Sequence, residues 1–103
     1  MNIIGNKFLL DFGMAKVTFH LESSTSLTFT ITEKNGEEVN ESETVTITLT
    51  ELKPQLYLAI WDEKNGNSVT QIQDHERGIV YNHWISPKDE FVHAKGTLQP
   101  LPE

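Results

Sequence analysis

Apolar and polar residues alternate with a period of two along most of the chain, and the alternation stops and restarts at turn residues. Lys7 to Phe12 sets Phe8, Leu10 and Phe12 on one face before Gly13. Lys16 to Glu22 sets Val17, Phe19 and Leu21 against Lys16, Thr18, His20 and Glu22. Ser26 to Glu33 sets Leu27, Phe29 and Ile31 against threonines, and Glu43 to Glu51 does the same with Val45, Ile47 and Leu49. This period, with its Thr, Val and Ile content, predicts half-buried strands, because a helix would scatter the same side chains around its circumference. Four more strands are predicted at Gln55 to Glu63, Asn67 to His75, Ile79 to Ser86 and Glu90 to Gln99. Pro100 is expected to end pairing, since proline cannot donate to a ladder. No stretch has helical periodicity.

Short turns join these strands. Lys64-Asn65-Gly66, Arg77-Gly78 and Pro87-Lys88-Asp89 separate the last four. The longest predicted loop, Lys34 to Ser42, carries Asn35-Gly36 and then Glu37, Glu38 and Glu41, and reads as an acidic solvated loop or a lid over a barrel mouth. Eight strands in a meander predict an all-β, eight-stranded antiparallel up-and-down barrel formed by one domain over residues 1–103. The alternative is a two-sheet sandwich. A barrel of this size holds packed side chains or one small ligand.

Composition narrows the function. The net charge of −7 repels phosphate backbones and anionic membranes, so neither nucleic acid nor membrane is an expected partner. There are no cysteines, which removes disulfides and thiolate chemistry and suits a reducing cytoplasm. The first dozen residues lack the basic start of a signal peptide, and no apolar run approaches the ~20 residues of a membrane span. Asn40-Glu41-Ser42 matches a glycosylation acceptor and reads as chance. No phosphate-binding glycine loop, nucleophilic serine motif or zinc-binding helix is present.

Register decides which side chains meet. A two-residue Asn65-Gly66 turn sets Trp61 opposite Thr70 and Tyr57 opposite Asp74. Carried through the next two turns, it sets Asp74 opposite Tyr81, His83 opposite His93, and Tyr81 opposite Lys95. One face then collects Tyr57, Trp61, Glu63, Asp74, Tyr81, His83, His93 and Lys95. The other collects Leu56, Leu58, Ile60, Val69, Val80, Trp84, Val92 and Leu98, with Gln71, Gln73, His75 and Asn82. If the second face points inward, the core is simple and the polar set is an outer surface. If the first does, the barrel holds a polar, aromatic pocket, and its apolar outer wall on strands five to eight needs a cover, most simply a second copy of the chain.

The run Leu56-Tyr57-Leu58-Ala59-Ile60-Trp61-Asp62-Glu63, the Asn-Gly turn, Val69 to Glu76, Val80-Tyr81 and Glu90 to Leu98 resembles the MoaF-like family of small lipocalin-like (calycin) barrels. That family is similar in fold to phenolic acid decarboxylases, which share the aromatic-x-x-x-Trp-x-Glu pattern matched here by Tyr57, Trp61 and Glu63. The resemblance implies that these three point inward, that Glu63 occupies the position of the decarboxylases' acid, and that the chain forms a dimer. The rest of that catalytic set is missing. The positions of the decarboxylases' paired tyrosines match Leu10 and Phe12, and the only arginine, Arg77, lies in a distant turn. Decarboxylation by that mechanism is not expected.

The sequence therefore leads to a barrel that binds a small apolar or aromatic ligand. Phe12, Tyr57 and Trp61 supply packing surface, and Glu63, Asp74, Tyr81, His83, His93 and Lys95 supply polar contacts. The alternative is a lyase or isomerase using Glu63 or a pocket histidine as general acid/base. His83 and His93 lack the third and fourth ligands a metal needs, so neither a metal nor a cofactor is expected.

Overall fold

The computed structural model describes residues 3–102 of the chain. Eight antiparallel strands follow one another around a closed barrel. They are β1 (Lys7–Asp11), β2 (Ala15–Leu21), β3 (Ser26–Lys34), β4 (Glu37–Lys53), β5 (Leu56–Asp62), β6 (Ser68–Asp74), β7 (Ile79–Ile85) and β8 (Phe91–Leu101). The barrel expected from the alternation is the one observed. Closure pairs Lys7–Asp11 of β1 with Leu101–Thr97 of β8. Among the described residues every strand has a neighbour on both sides, which removes the long open edges of a flat sheet.

Two boundaries differ from expectation. The predicted Lys34 to Ser42 loop is a tight hairpin: Lys34 pairs with Glu37, and β4 runs unbroken for 17 residues. Asn35 and Gly36 both take positive φ, 52° and 82°, the conformation of a two-residue hairpin turn. The acidic residues therefore decorate a strand, and the loop that was to form a lid is absent. Pro100 does not end pairing either, since β8 continues to Leu101. Beyond Leu98, whose N–H still donates to Gly78 O at 2.9 Å, β8 is paired only with β1, so the proline occupies an edge where a missing donor is tolerated.

Alternation places one parity of each strand inside. Phe8, Leu10, Phe19, Leu21, Leu27, Val45, Ile47, Tyr57, Ala59, Trp61, Val69, Val80 and Leu98 form a continuous core with Ile3. The threonines of β3 and β4 face out and bond across the strands, Thr28 to Thr44 and Thr30 to Ser42, each at 2.7 Å. Such cross-strand pairs stabilise a solvated sheet face. At the seam, Gly96 of β8 faces the end of β1. A Cβ there would collide with the Asp11 carbonyl oxygen and sit 2.8 Å from Phe12 Cδ1, so the barrel closes this tightly only around a glycine.

The register of the last four strands departs from expectation by one residue, and the consequence is large. Trp61 pairs with Val69, Ala59 with Gln71 and Tyr57 with Gln73. The loop is three residues long: Glu63 N–H donates to Asn67 O at 2.7 Å, and Gly66 N–H to Glu63 O at 2.9 Å. Only Gly66 takes positive φ, at 93°. A slip of one residue turns every side chain of the following strand to the other face. The β6–β7 turn then differs from expectation by two positions, which preserves parity, with Gln73 opposite Val80. The β7–β8 register is as expected, His83 opposite His93 and Tyr81 opposite Lys95. The aromatic face of β5 and the apolar face of β6–β8 therefore both point inward. A two-residue turn would set these two faces on opposite sides of the wall.

Candidate functional site

The barrel encloses a cavity of about 360 Å³. It opens at the end that carries the β1–β2, β3–β4 and β5–β6 turns, where Phe12, Met14, Lys34, Glu63, Asn65 and Asn67 form the rim. Deeper, the wall is Leu10, Val17, Phe19, Leu27, Phe29, Trp61, Val69 and Trp84. Both indoles of the chain face this space. At the far end Ile3, Phe8, Leu21 and Tyr57 are buried and fill the barrel.

Two polar features interrupt the apolar wall. The first is Glu63, half-buried at the rim. Its Oε2 accepts the Trp61 indole N–H at 3.2 Å. Desolvation pushes its carboxyl pKa above the usual value, the Trp61 hydrogen bond pulls it back, and Glu43 nearby raises it again before Asn67 lowers it. Glu43 itself accepts the Lys64 backbone N–H at 2.7 Å, which fixes the β5–β6 turn beneath it. Among the described residues the ion pairs are Lys16–Glu33, Lys34–Glu41 and Arg77–Asp74, and Glu63 belongs to none of them.

The second is a chain of amides crossing the interior. His75 Nε2 meets Gln73 Oε1 at 3.1 Å, Gln73 Nε2 donates to Gln71 Oε1 at 2.6 Å, and Gln71 Nε2 donates to Asn82 Oδ1 at 3.0 Å. Gln73 and Gln71 are only 1% and 4% exposed, so these bonds are what make their burial tolerable. The chain starts at the filled end, where His75 sits edge-on to Phe8 and Tyr57, and ends on Gln71 and Asn82 in the cavity wall. Burial holds the His75 pKa below its ordinary value, and Asp74 offsets part of this.

The residues singled out from sequence divide into three groups. Phe12, Trp61 and Glu63 line the cavity. Tyr57 is inside the barrel but belongs to the filled end, 2% exposed and packed against His75. Asp74, Tyr81, His83, His93 and Lys95 lie on the outward parity of β6–β8, because of the three-residue turn. Most of this third group gathers in a shallow hollow on the outer wall, lined by Thr70, Ile72, Tyr81, His83, His93 and Lys95. There the His83 and His93 rings stack at 4.4 Å, and Lys95 Nζ lies 5.8 Å from the Tyr81 ring centre. Asp74 instead caps the next turn, accepting the Arg77 backbone N–H at 3.0 Å. Among the described residues no group of three or more His, Cys, Asp or Glu side chains could hold a metal ion.

Sequence reasoning missed Gln71, Asn82, Val69 and Trp84 as cavity residues, having put them on the opposite face from Trp61. The signal was available in the turn: Lys64-Asn65-Gly66 also fits a three-residue loop with glycine in its last, left-handed position.

The MoaF-like family model matches residues 4–99. The chain belongs to the MoaF-like family. No curated protein matches it. Among solved structures, this MoaF-like barrel is similar to a crystal structure from Burkholderia vietnamiensis provisionally described as a beta-lactamase, with a TM-score of 0.87, 18% identity, and 98% of this chain and 97% of that one covered. At that identity the likeness shows the fold. Among the described residues no helix is long and apolar enough to cross a membrane.

Proposed function

We propose that this MoaF-like barrel binds a small, largely apolar or aromatic molecule in its interior. The observation that carries the reading is the cavity of about 360 Å³, walled by Phe12, Phe29, Trp61 and Trp84 and open at one end. Ligand pockets have this build: an apolar wall with a few directional polar groups. The polar groups here are Glu63 at the rim and Gln71 and Asn82 within.

N-phenyl-1-naphthylamine, a neutral fluorophore that brightens in apolar surroundings, tests it. Saturable one-to-one enhancement is expected, with quenching of the two indoles. Val69→Phe, which fills the cavity from β6, is expected to weaken binding about tenfold, the loss of roughly 1.4 kcal/mol. Undiminished enhancement in Val69→Phe sinks the reading.

A second reading, catalysis with Glu63 as general acid/base, is favoured by the raised carboxyl pKa within the cavity. It is the weaker of the two, because Lys34 is the one other titratable side chain in the lining and is paired with Glu41 at 3.5 Å. The beta-lactamase description of the structural neighbour adds nothing to it, since the lining offers no serine, cysteine or histidine. A homodimer through the outer face of β5–β8 is also part of the proposal. Val69, Val80 and Leu98 have moved into the core, and exposed Ile60, Ile72, Tyr81 and Phe91 remain to be covered. Light scattering at micromolar concentration tests it, and a monomer mass removes it.

A further inference from the structure

We infer that the ligand of the barrel is a cation, an aromatic or apolar molecule bearing a protonated amine that pairs with Glu63. This rests on the ligand-binding reading above and adds the sign of the charge.

The carboxylate of Glu63 is the one acidic group in the cavity lining, and its hydrogen-bond donors, the Trp61 indole and the Asn67 side chain, are both neutral. It has no cationic partner among the described residues. A second carboxylate, Glu43, lies close enough to act on it. A bound ligand covers the rim and takes the remaining water from Glu63. A neutral molecule therefore leaves a more deeply buried, unpaired charge, and an anion adds repulsion from both glutamates. An ammonium removes the penalty and forms a charge-assisted hydrogen bond. The walls are compatible with the same sign, because the lining includes Trp61, Trp84, Phe12 and Phe29, and aromatic faces attract cations and repel anions. The one cation in the lining, Lys34, is already held by Glu41 at 3.5 Å.

Three ligands of nearly one shape separate the possibilities: tryptamine, 3-ethylindole and indole-3-propionate. Each is titrated as a competitor against bound N-phenyl-1-naphthylamine at pH 7.5. Tryptamine is expected to displace the probe at concentrations about tenfold below 3-ethylindole, with indole-3-propionate the weakest, as one charge-assisted hydrogen bond implies. In Glu63→Gln the tryptamine to 3-ethylindole ratio is expected to fall within about twofold of unity. Equal displacement by all three overturns the inference and leaves the cavity a neutral binding site. Preference for indole-3-propionate overturns it in favour of Lys34. The wild-type ranking alone decides the matter if Glu63→Gln does not fold. Failure of the probe to bind at all removes this inference and the ligand-binding reading together.

Discussion

Asn35-Gly36 and Asn65-Gly66 are the same dipeptide between the same kinds of strand, yet they close different loops. At the first, both residues take positive φ and Lys34 pairs directly with Glu37. At the second, Asn65 is not among the residues of positive φ, Gly66 alone is left-handed, and Glu63 rather than Lys64 meets Asn67. The surroundings differ accordingly. Asn35 N–H is taken by Met14 O across the neighbouring turn at 2.7 Å. Around Asn65, Glu43 takes the Lys64 N–H, and the Asn65 side chain takes the Asn67 N–H at 3.0 Å. Those two bonds satisfy the backbone of a longer loop. The stakes differ too. The first turn sits on a ladder of exposed residues, Glu37 and Glu38 among them, whereas the second sets the parity of three strands of the barrel.

Deleting Lys64 is the harshest way to break the comparison. It forces a two-residue loop, turns Val69, Val80 and Leu98 outward, and buries Asp74 and Lys95. The expected outcome is loss of the fold, which exceeds the ~5–15 kcal/mol stability of a typical domain. Inserting one glycine after Gly36 is expected to cost only about 1 kcal/mol, since the added residue is absorbed on the exposed hairpin. Thermal unfolding followed by circular dichroism distinguishes them. A Lys64 deletion that melts like the wild type overturns the account of register.

Alanine at the two glycines gives a finer contrast. Each replacement costs roughly 1–2 kcal/mol for a left-handed residue with a Cβ. At Gly36 nothing lies within 4 Å of the new atom, so that is the whole expected effect. At Gly66 the Cβ meets Pro87 Cγ at 2.7 Å, which adds about 1–3 kcal/mol of overpacking. Denaturant titrations measure both. Pro87→Ala in the Gly66→Ala background is expected to recover the second part alone.

The same comparison explains what was legible. In β1–β4 one face is apolar and the other is threonine or charge, so inward parity follows from composition alone. In β6 it does not: Val69, Gln71 and Gln73 alternate with Thr70, Ile72 and Asp74, one apolar residue on each face. β7 is as balanced, with Val80 and Trp84 against Ile79, Tyr81 and Ile85. Here parity is inherited from the turn, and the turn is decided by Glu43, a side chain 21 positions from the backbone it caps. Local pattern contains no such contact. The barrel could thus be read from the alternation, whereas β5 is apolar on both faces and the inward parity of Trp61 and Glu63 is implied only by the family resemblance. The inward placement of Gln71 and Asn82 could not be read from either, and the outward placement of His83 and His93 could not either.

His75 tests the inherited parity directly, because the slip puts it inside and leaves Asp74 outside. Its pKa is lowered chiefly by desolvation, so the folded chain prefers the neutral imidazole. The unfolded chain then takes up the proton first as pH falls. The stabilising contribution is whole above about pH 6.5 and is lost as pH falls through the lower folded value. His75→Gln is expected to flatten the pH dependence of unfolding free energy below about pH 6.5, in comparison with the wild type. An unchanged slope means His75 is solvated and the parity of β6 is misassigned.

Glu63 gives the smallest effect and the opposite sign. Its folded pKa is raised, so the folded state holds the proton more tightly than the unfolded chain does. Stability associated with this group is full below the unfolded carboxylate value near pH 4.5 and declines as pH rises through the folded value. Once ionised, the carboxylate is therefore a cost to the empty barrel. Glu63→Gln keeps an oxygen for the Trp61 indole and removes the charge, so its melting temperature relative to the wild type is expected to rise between pH 4.5 and 7.5. Saturating tryptamine pairs that charge in the wild type and is expected to shrink the difference, because a ligand stabilises the state it binds. The same amount of 3-ethylindole, which covers Glu63 without pairing it, is expected to shrink it less. Equal effects from the two ligands place the carboxylate in water and detach it from the cavity. That leaves the three-residue turn with a role in register alone.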